Sequence, residues 1–381
     1  MMNLPMAVPV DLIATTTELS LAEKIRALGG PLGFQAMRFC APDTRAHGEH
    51  LQQWLDAGYH GEMDWLTRNS DKRLRGDLLQ PGTKTVIAVR MDYLPANHHS
   101  MAVLDSPDLA YVARYALGRD YHKVLRKRLV QLAQQITELA GSHGYRPFVD
   151  SAPVMERQLA EQAGLGWTGK NTLLLAPGVG SWFFLGELFT DLELPFDPPL
   201  EQGHCGSCNQ CLVDCPTDAF VAPGVLDARK CISYLTIEYD GSIPVELRAK
   251  MGNRIYGCDD CQLVCPHNNK ADTTQEADFT PRHSLEKISL MEAFSWTEVE
   301  FLHNTEGSPI RRIGYAQWQR NIAVALGNAP ASPELIAILE RARGRVSDLV
   351  DEHIDWALVR LRQAEATDPP RLSTKPITWR P

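Results

Sequence analysis

Cys205-Gly-Ser-Cys208-Asn-Gln-Cys211-Leu-Val-Asp-Cys215-Pro216 is the stretch on which the reading of this chain turns. Its spacing is C-x2-C-x2-C-x3-C-P. Three closely spaced thiols can hold one cubane corner by corner, while the fourth, before proline, points away; this is the run that ligates [4Fe–4S] clusters, the fourth Cys serving the other cluster where there are two. A second run, Cys258-Asp-Asp-Cys261-Gln-Leu-Val-Cys265-Pro266, reads C-x2-C-x3-C-P and is one thiol short; Cys231 is the remaining one. By the exchange rule, Cys205, Cys208, Cys211 and Cys265 hold one cluster, and Cys258, Cys261, Cys215 and Cys231 hold the other. Structural zinc is the competing reading, but zinc sites pair C-x2-C units instead of stringing two x2 spacings into C-P. Cys40, the ninth cysteine, stands apart and reads as a small buried hydrophobe.

The 381 residues suggest two or three domains. Hydrophobic residues are 44% and charged ones 22%, ordinary for a globular chain. The net charge of −9 excludes a basic nucleic-acid binder of the histone kind, so any RNA contact needs a local patch. No apolar run approaches the roughly 18 residues of a membrane span. The N-terminal MMNLPMAVPVDLIATTTELS has no Lys or Arg ahead of an apolar stretch, so a secretory signal is not expected. Clustered thiols without an export signal point to metal in a cytoplasmic chain.

Outward from the cysteines, Leu194 to Leu200 (LPFDPPL) is a proline-rich linker on one side and the polar stretch His267 to His283 a connection on the other. Before them the chain mixes helix and strand. Ser20-Leu-Ala-Glu23 is a capping box, stopped by Gly29-Gly30. Thr85-Val-Ile-Ala-Val89 and the end of GVGSWFFLGE (Gly178 to Glu187) read as buried strands. Leu125, Leu129, Leu132, Ile136 and Leu139 predict an amphipathic helix over 121–140, with Asp120 at its N-cap and Gly141 past its end. Beyond the cysteines, Asn321 to Gly327, Pro333 to Arg343 and Val346 to Gln363 predict three successive helices of HEAT type, with Ser332-Pro333 an N-cap and a first-turn proline. The tail after Ala366 is expected to be loosely held. The fold class is therefore α+β: an N-terminal domain over 1–200, a two-cluster ferredoxin-like module over 201–270 and a helical segment over 271–381. Residues 1–204 and 267–381 flank the cysteines; a pure electron carrier would stop near the cysteine block, so that block reads as a module inside an enzyme.

Tyr115-Ala-Leu-Gly-Arg-Asp-Tyr-His122, Val149-Asp-Ser-Ala-Pro153 with Glu156-Arg157, Gly164-Leu-Gly-Trp-Thr-Gly-Lys-Asn171, and Gly180-Ser-Trp182 with Leu185-Gly-Glu187 stand in this order before the cysteines. Together, from about residue 20 to 365, they resemble the epoxyqueuosine reductase family. Departures are Leu117 in place of an aromatic, Asp260 in place of an aliphatic residue, and His267 in place of an aromatic. Asp260 would add negative charge beside a cluster and shift its potential.

The resemblance implies reduction of epoxyqueuosine to queuosine at the wobble position of tRNA, the last step of that modification pathway. It also implies two [4Fe–4S] clusters, a cobalamin in a domain like that of reductive dehalogenases, an unidentified reductant protein and a monomer. Asp150 matches the proton-donor position. Losing the epoxide oxygen as water consumes two electrons and two protons, and a carboxyl doing this work should be desolvated to raise its pKa. Arg73, Tyr115, Trp167, Lys170, Asn171 and Ser181, with Asp150, are candidates for cobalamin contacts. For tRNA, Arg311, Arg312, Tyr315, Trp318 and Arg320 combine cations with aromatics, as phosphate contact and base stacking require. The cluster Arg114, Arg119, Lys123, Arg126, Lys127 and Arg128 reads instead as a solvated helix face. Two other functions compete: a cobalamin and iron–sulfur reductase of a small molecule, such as a dehalogenase, and a non-catalytic electron carrier.

Overall fold

The computed structural model describes residues 19–96, 99–200 and 203–366. The expected loose tail lies outside them. The N-terminal part is built on a four-stranded antiparallel sheet of β1 (Ala36–Cys40), β2 (Thr85–Asp92), β3 (Tyr145–Phe148) and β4 (Phe183–Thr190), in the order β1-β2-β4-β3. β2 and β4 are central and covered on both faces, which is why their sequences are nearly unbroken apolar runs.

Ile87, Val89, Met91, Phe184 and Leu188 form one face and pack against a helix (Tyr121–Ala140) that buries Leu125, Leu129, Leu132 and Ile136. Asp120 caps this helix by accepting from the backbone N–H of His122. Leu139, in its last turn, runs past the packed stripe and is exposed. Gly186 lies directly under Leu125 and Leu129; a Cβ there would come within 3.2 Å of Leu129, so glycine keeps the helix close to the sheet. The opposite face carries Val86, Ala88, Phe183 and Phe189 and packs against a shorter helix (Glu156–Gln162) through Leu159 and Ala160. Cys40 belongs to this layer, its thiol donating to the Leu159 carbonyl, and burial pushes that thiol up to about 12.

The Ser20 capping box forms as expected ahead of the helix Leu21–Ala27. The linker 194–200 is tied down at Asp197, whose carboxylate accepts from Arg26, Arg38 and the Phe39 N–H. Three C-terminal helices follow at Gly314–Asn328, Pro333–Ala342 and Asp348–Ala366. The first begins seven residues earlier than its apolar pattern predicts, at Gly314. Packing crosses the expected domain boundaries. Tyr111–Val112 pairs in parallel with Arg254–Tyr256, and Ala110, Val112, Leu117, Ile255 and Tyr256 share one core with Ile310, Trp318 and Ile322.

The helix Gly314–Asn328 is covered on all sides, and this corrects part of the expected tRNA surface. Trp318 is fully buried, stacked on Trp296 with its Nε1 donating to the Ala293 carbonyl. Arg320 is fully buried too, and its guanidinium donates to the carbonyls of Leu235, Tyr239 and Gly241. Burial pulls its pKa down to about 10, so it remains a cation that staples the cysteine block to the helices. Cations and aromatics at helical spacing look alike in sequence whether they line a surface or a core. Arg320→Ala strands those carbonyls and is expected to cost on the order of 3–5 kcal/mol, read as a lower Tm. The salt dependence of tRNA binding by the folded fraction is expected to stay as in the parent.

Candidate active site

Between the sheet and the cysteine block lies a chamber of about 400 Å³. Tyr93, Tyr115, Tyr121, Asp150, Phe183 and Phe184 form one wall, and Cys215, Cys231, Cys258 and Cys261 form the other. The remaining thiols of the block, Cys205, Cys208, Cys211 and Cys265, surround a separate small cavity with Pro266 and His267. Each run thus turns its terminal Cys-Pro thiol toward the other run's set. Four convergent thiols in each place are a donor set that fits a [4Fe–4S] cubane.

Asp150 follows β3 and has φ +47, a left-handed conformation that costs a non-glycine residue energy. Three contacts hold it there. Its Oδ2 accepts from the Tyr121 hydroxyl at 2.5 Å and lies 3.6 Å from His122 Nε2, and its N–H donates to Glu156 Oε1 at 2.5 Å. Tyr121 is held flat on Phe184, ring centroids 4.1 Å apart. The Nδ1 of His122 is 2.7 Å from the Asp120 carboxylate. Burial opposes charge on His122, but the carboxylates of Asp120 and Asp150 outweigh it and hold the imidazole up at about 9, cationic at neutral pH. The Asp150 side chain itself is 63% exposed, so the expected desolvation of this carboxyl is not present. Desolvation falls instead on its neighbours Glu156 and Glu187.

The other candidate cofactor contacts divide. Tyr115, Asn171 and Ser181 line the chamber. Asn171 lines the second cavity as well and donates to the Cys261 carbonyl, so it stands between the two thiol sets. Ser181 is held by Gln262 and Asn268. Trp167 and Lys170 lie elsewhere. The Trp167 ring is buried between His204 and His267 and packs with Cys265, while Lys170 Nζ donates to the carbonyls of Gly206 and Cys208 at 2.7 Å each. Both serve the Cys205–Cys211 loop because the Gly164–Asn171 segment wraps around it. Arg73 is buried with its guanidinium over the Trp65 ring and is not among the chamber-lining residues.

Of the expected tRNA residues, Arg311 and Arg312 are exposed, Arg312 being paired with Glu238, and Tyr315 is half-buried with its hydroxyl on the Trp296 carbonyl. In the other basic cluster Arg114 is buried and Arg119 and Arg128 are paired with Asp278 and Glu276, leaving Lys123, Arg126 and Lys127 as an exposed face. Asp260 does not bring uncompensated charge to its cluster: it is buried in a bidentate pair with Arg254.

Tyr121, His122, Glu156 and Glu187 received no role from the sequence. Each lies inside a stretch singled out above, yet only the fold shows that helix, loop and strand bring them around Asp150.

Comparison with known proteins places this geometry in a wider set. Residues 73–151 match the family model described as epoxyqueuosine reductase QueG, and residues 204–268 match that of a 4Fe-4S double cluster binding domain. The chain is 57% identical to the epoxyqueuosine reductase of Pseudomonas aeruginosa, covering 89% of this chain and 94% of that protein. It is 55% identical to that of Escherichia coli, covering 89% of each. Among solved structures, an epoxyqueuosine reductase with an epoxyqueuosine-modified tRNA-Tyr stem loop superposes with a TM-score of 0.82 at 27% identity, covering 94% of this chain and 96% of that one. The epoxyqueuosine reductase of Bacillus subtilis, with an aspartate-bearing catalytic loop swung out of its active site, superposes with a TM-score of 0.74 at 27% identity, covering 89% and 98%.

Proposed function

The chain belongs to the epoxyqueuosine reductase family and is an oxidoreductase with two [4Fe–4S] clusters, and from that premise we propose that it reduces epoxyqueuosine to queuosine at the wobble position of tRNA, with Asp150 as the proton donor. One observation carries the proposal: Asp150 and the thiols of one set form opposite walls of the same chamber. An acid and an electron outlet facing one space is the arrangement that reductive loss of an epoxide oxygen needs.

The proposed ligands are Cys205, Cys208, Cys211 and Cys265 for the cluster away from the chamber, and Cys215, Cys231, Cys258 and Cys261 for the cluster on its wall. Asn171, which lines both cavities and donates to the Cys261 carbonyl, would stand between the two clusters. The aromatic wall of Tyr93, Tyr115, Tyr121, Phe183 and Phe184 suits the flat face of a macrocycle and the polar Asn171 and Ser181 suit its amide rim, so Tyr115, Asn171 and Ser181 are the residues that would hold cobalamin there. When bound, cobalamin would supply a low-potential cobalt centre for the two-electron reduction.

The chain's own residues handle the protons. Tyr121 and His122 aim the Asp150 carboxyl into the chamber, and a bound nucleoside covers its exposed side, supplying the desolvation that the free chain lacks. Asp150 gives its proton to the leaving oxygen, and His122, cationic up to about 9 and itself held by Asp120, returns a proton to Asp150. Lys123, Arg126 and Lys127 follow His122 on the same helix, and Arg312 stands beside Tyr256 and Tyr115. These cations, with Arg311, are suited to the phosphates of a stem loop whose modified base enters the chamber. The solved relative bound to such a stem loop supports this substrate. Deleting the protein is expected to leave epoxyqueuosine in the tRNA nucleoside pool and to deplete queuosine; an unchanged profile refutes the reading.

A further inference from the structure

Glu187 is a buried acid that the proton steps above leave unused. It sits mid-strand on β4, opposite Ala88 and Phe148, in the apolar layer that also contains Val86, Leu159 and Phe189. Its side chain is fully buried. Neither of its carboxyl oxygens has a hydrogen-bond partner among the described groups, and the side chain they face is another acid, Glu156, at the start of the helix Glu156–Gln162. Glu156 Oε1 in turn accepts the backbone N–H of Asp150, the residue held at φ +47. A line of contacts therefore runs from the centre of the sheet through two carboxyls to the turn that presents the proton donor.

We propose that Glu187 and Glu156 share a proton, Glu187 donating to Glu156, and that this pair is the positioning device that holds the Asp150 turn in its working conformation. Two adjacent carboxyls in an apolar layer cannot both ionise cheaply. With the proton between them, Glu156 is anchored and its free lone pairs point at the Asp150 N–H. With the proton gone, two carboxylates repel each other and Glu156 loses its anchor. The groups facing the pair are Asp150 on the loop, Tyr121 and His122 on the helix Tyr121–Ala140, and Cys40 on β1. The one cation among them, His122, is already paired with Asp120 and Asp150. Burial, followed by the Asp150 charge, raises Glu156 to about 8; burial, followed by the Glu156 charge, raises Glu187 well above the ordinary value. Glu156 and Glu187 are positioning residues: neither is among those lining the chamber.

The inference rests on the proposed role of Asp150, and its test separates the two. A carboxyl whose folded pKa is raised keeps a proton that the unfolded chain gives up, so its contribution to stability is whole below the ordinary Glu value and is lost as pH rises through the folded value. Anaerobic holoenzyme should therefore lose Tm between about pH 5 and about pH 9, and Glu187→Gln, which keeps the donor but cannot ionise, should lose clearly less. This comparison needs no substrate. In turnover, the parent kcat should fall in two alkaline steps, one as the pair ionises and one from His122. Glu187→Gln should abolish the pair's step and keep that of His122, with KM and cofactor content unchanged. Glu187→Ala, which lacks the donor, should lose kcat ~tenfold already at neutral pH. If Glu187→Gln shows the parent's Tm loss and both of the parent's alkaline steps, the pair neither shares a proton nor positions Asp150. If only the turnover step persists while the Tm loss is reduced, the proton is shared but the positioning role is overturned.

Discussion

Asp150→Asn is expected to lower turnover of epoxyqueuosine tRNA by about 100-fold or more, the range ordinarily lost with a general acid. Asparagine still accepts from the Tyr121 hydroxyl through its carbonyl and keeps the backbone N–H that reaches Glu156, so the turn should survive. What disappears is the proton that can be passed to the leaving oxygen and the anion that pairs with His122. Cluster absorbance, its bleaching by dithionite, cobalamin content and stem-loop affinity are therefore expected to match the parent. The pH profile carries a second signature. Asp150 helps to hold His122 up at about 9. Without the carboxylate the imidazole should titrate lower, visible in its NMR shift even where no turnover remains. Near-parent turnover with intact cofactors refutes the donor role of Asp150.

Loss of either cluster set is the other large effect, and the pattern of loss distinguishes crosswise from sequential ligation. Cys215 and Cys211 are near neighbours in sequence but lie on different cavities, as do Cys261 and Cys265. In anaerobic preparations, Cys215→Ser and Cys231→Ser should damage the same chamber-side cluster and leave the same residual EPR signal. Cys265→Ser and Cys205→Ser should damage the other. Each variant is expected to drop iron and acid-labile sulfide to about half and to lower turnover by ~100-fold or more, because either break stops the electron relay. If Cys215→Ser instead matches Cys205→Ser, ligation follows sequence order. Zinc in place of iron in the parent protein would remove the redox reading altogether.

Much of this was legible because some physics is local. Thiol spacing is set by what a cubane can reach, so the two runs and Cys231 declare a two-cluster block without any fold. The Asp120 cap, the 121–140 helix and the strand at 85–89 follow from short-range hydrogen bonding and hydrophobic period. Arg320 and Trp318 show where local reasoning ends. An aromatic three residues after Tyr315 and a cation eight residues after Arg312 suit an RNA surface equally well, and only the covering of their helix from every side makes them core.

What the sequence by itself determined is chemistry that depends on neighbours along the chain: eight thiols, their spacing, and an α+β scaffold around them. What only the tertiary structure decided is which groups share a space. Asp150, Tyr121 and His122 meet one set of thiols across a chamber, Trp167 and Lys170 turn to the other set, and Glu187 meets Glu156 beneath the turn. Those pairings join residues tens of positions apart. Their consequences come from desolvation and Coulomb interaction, which act through space and fall with distance, and so they leave no periodic mark in the chain.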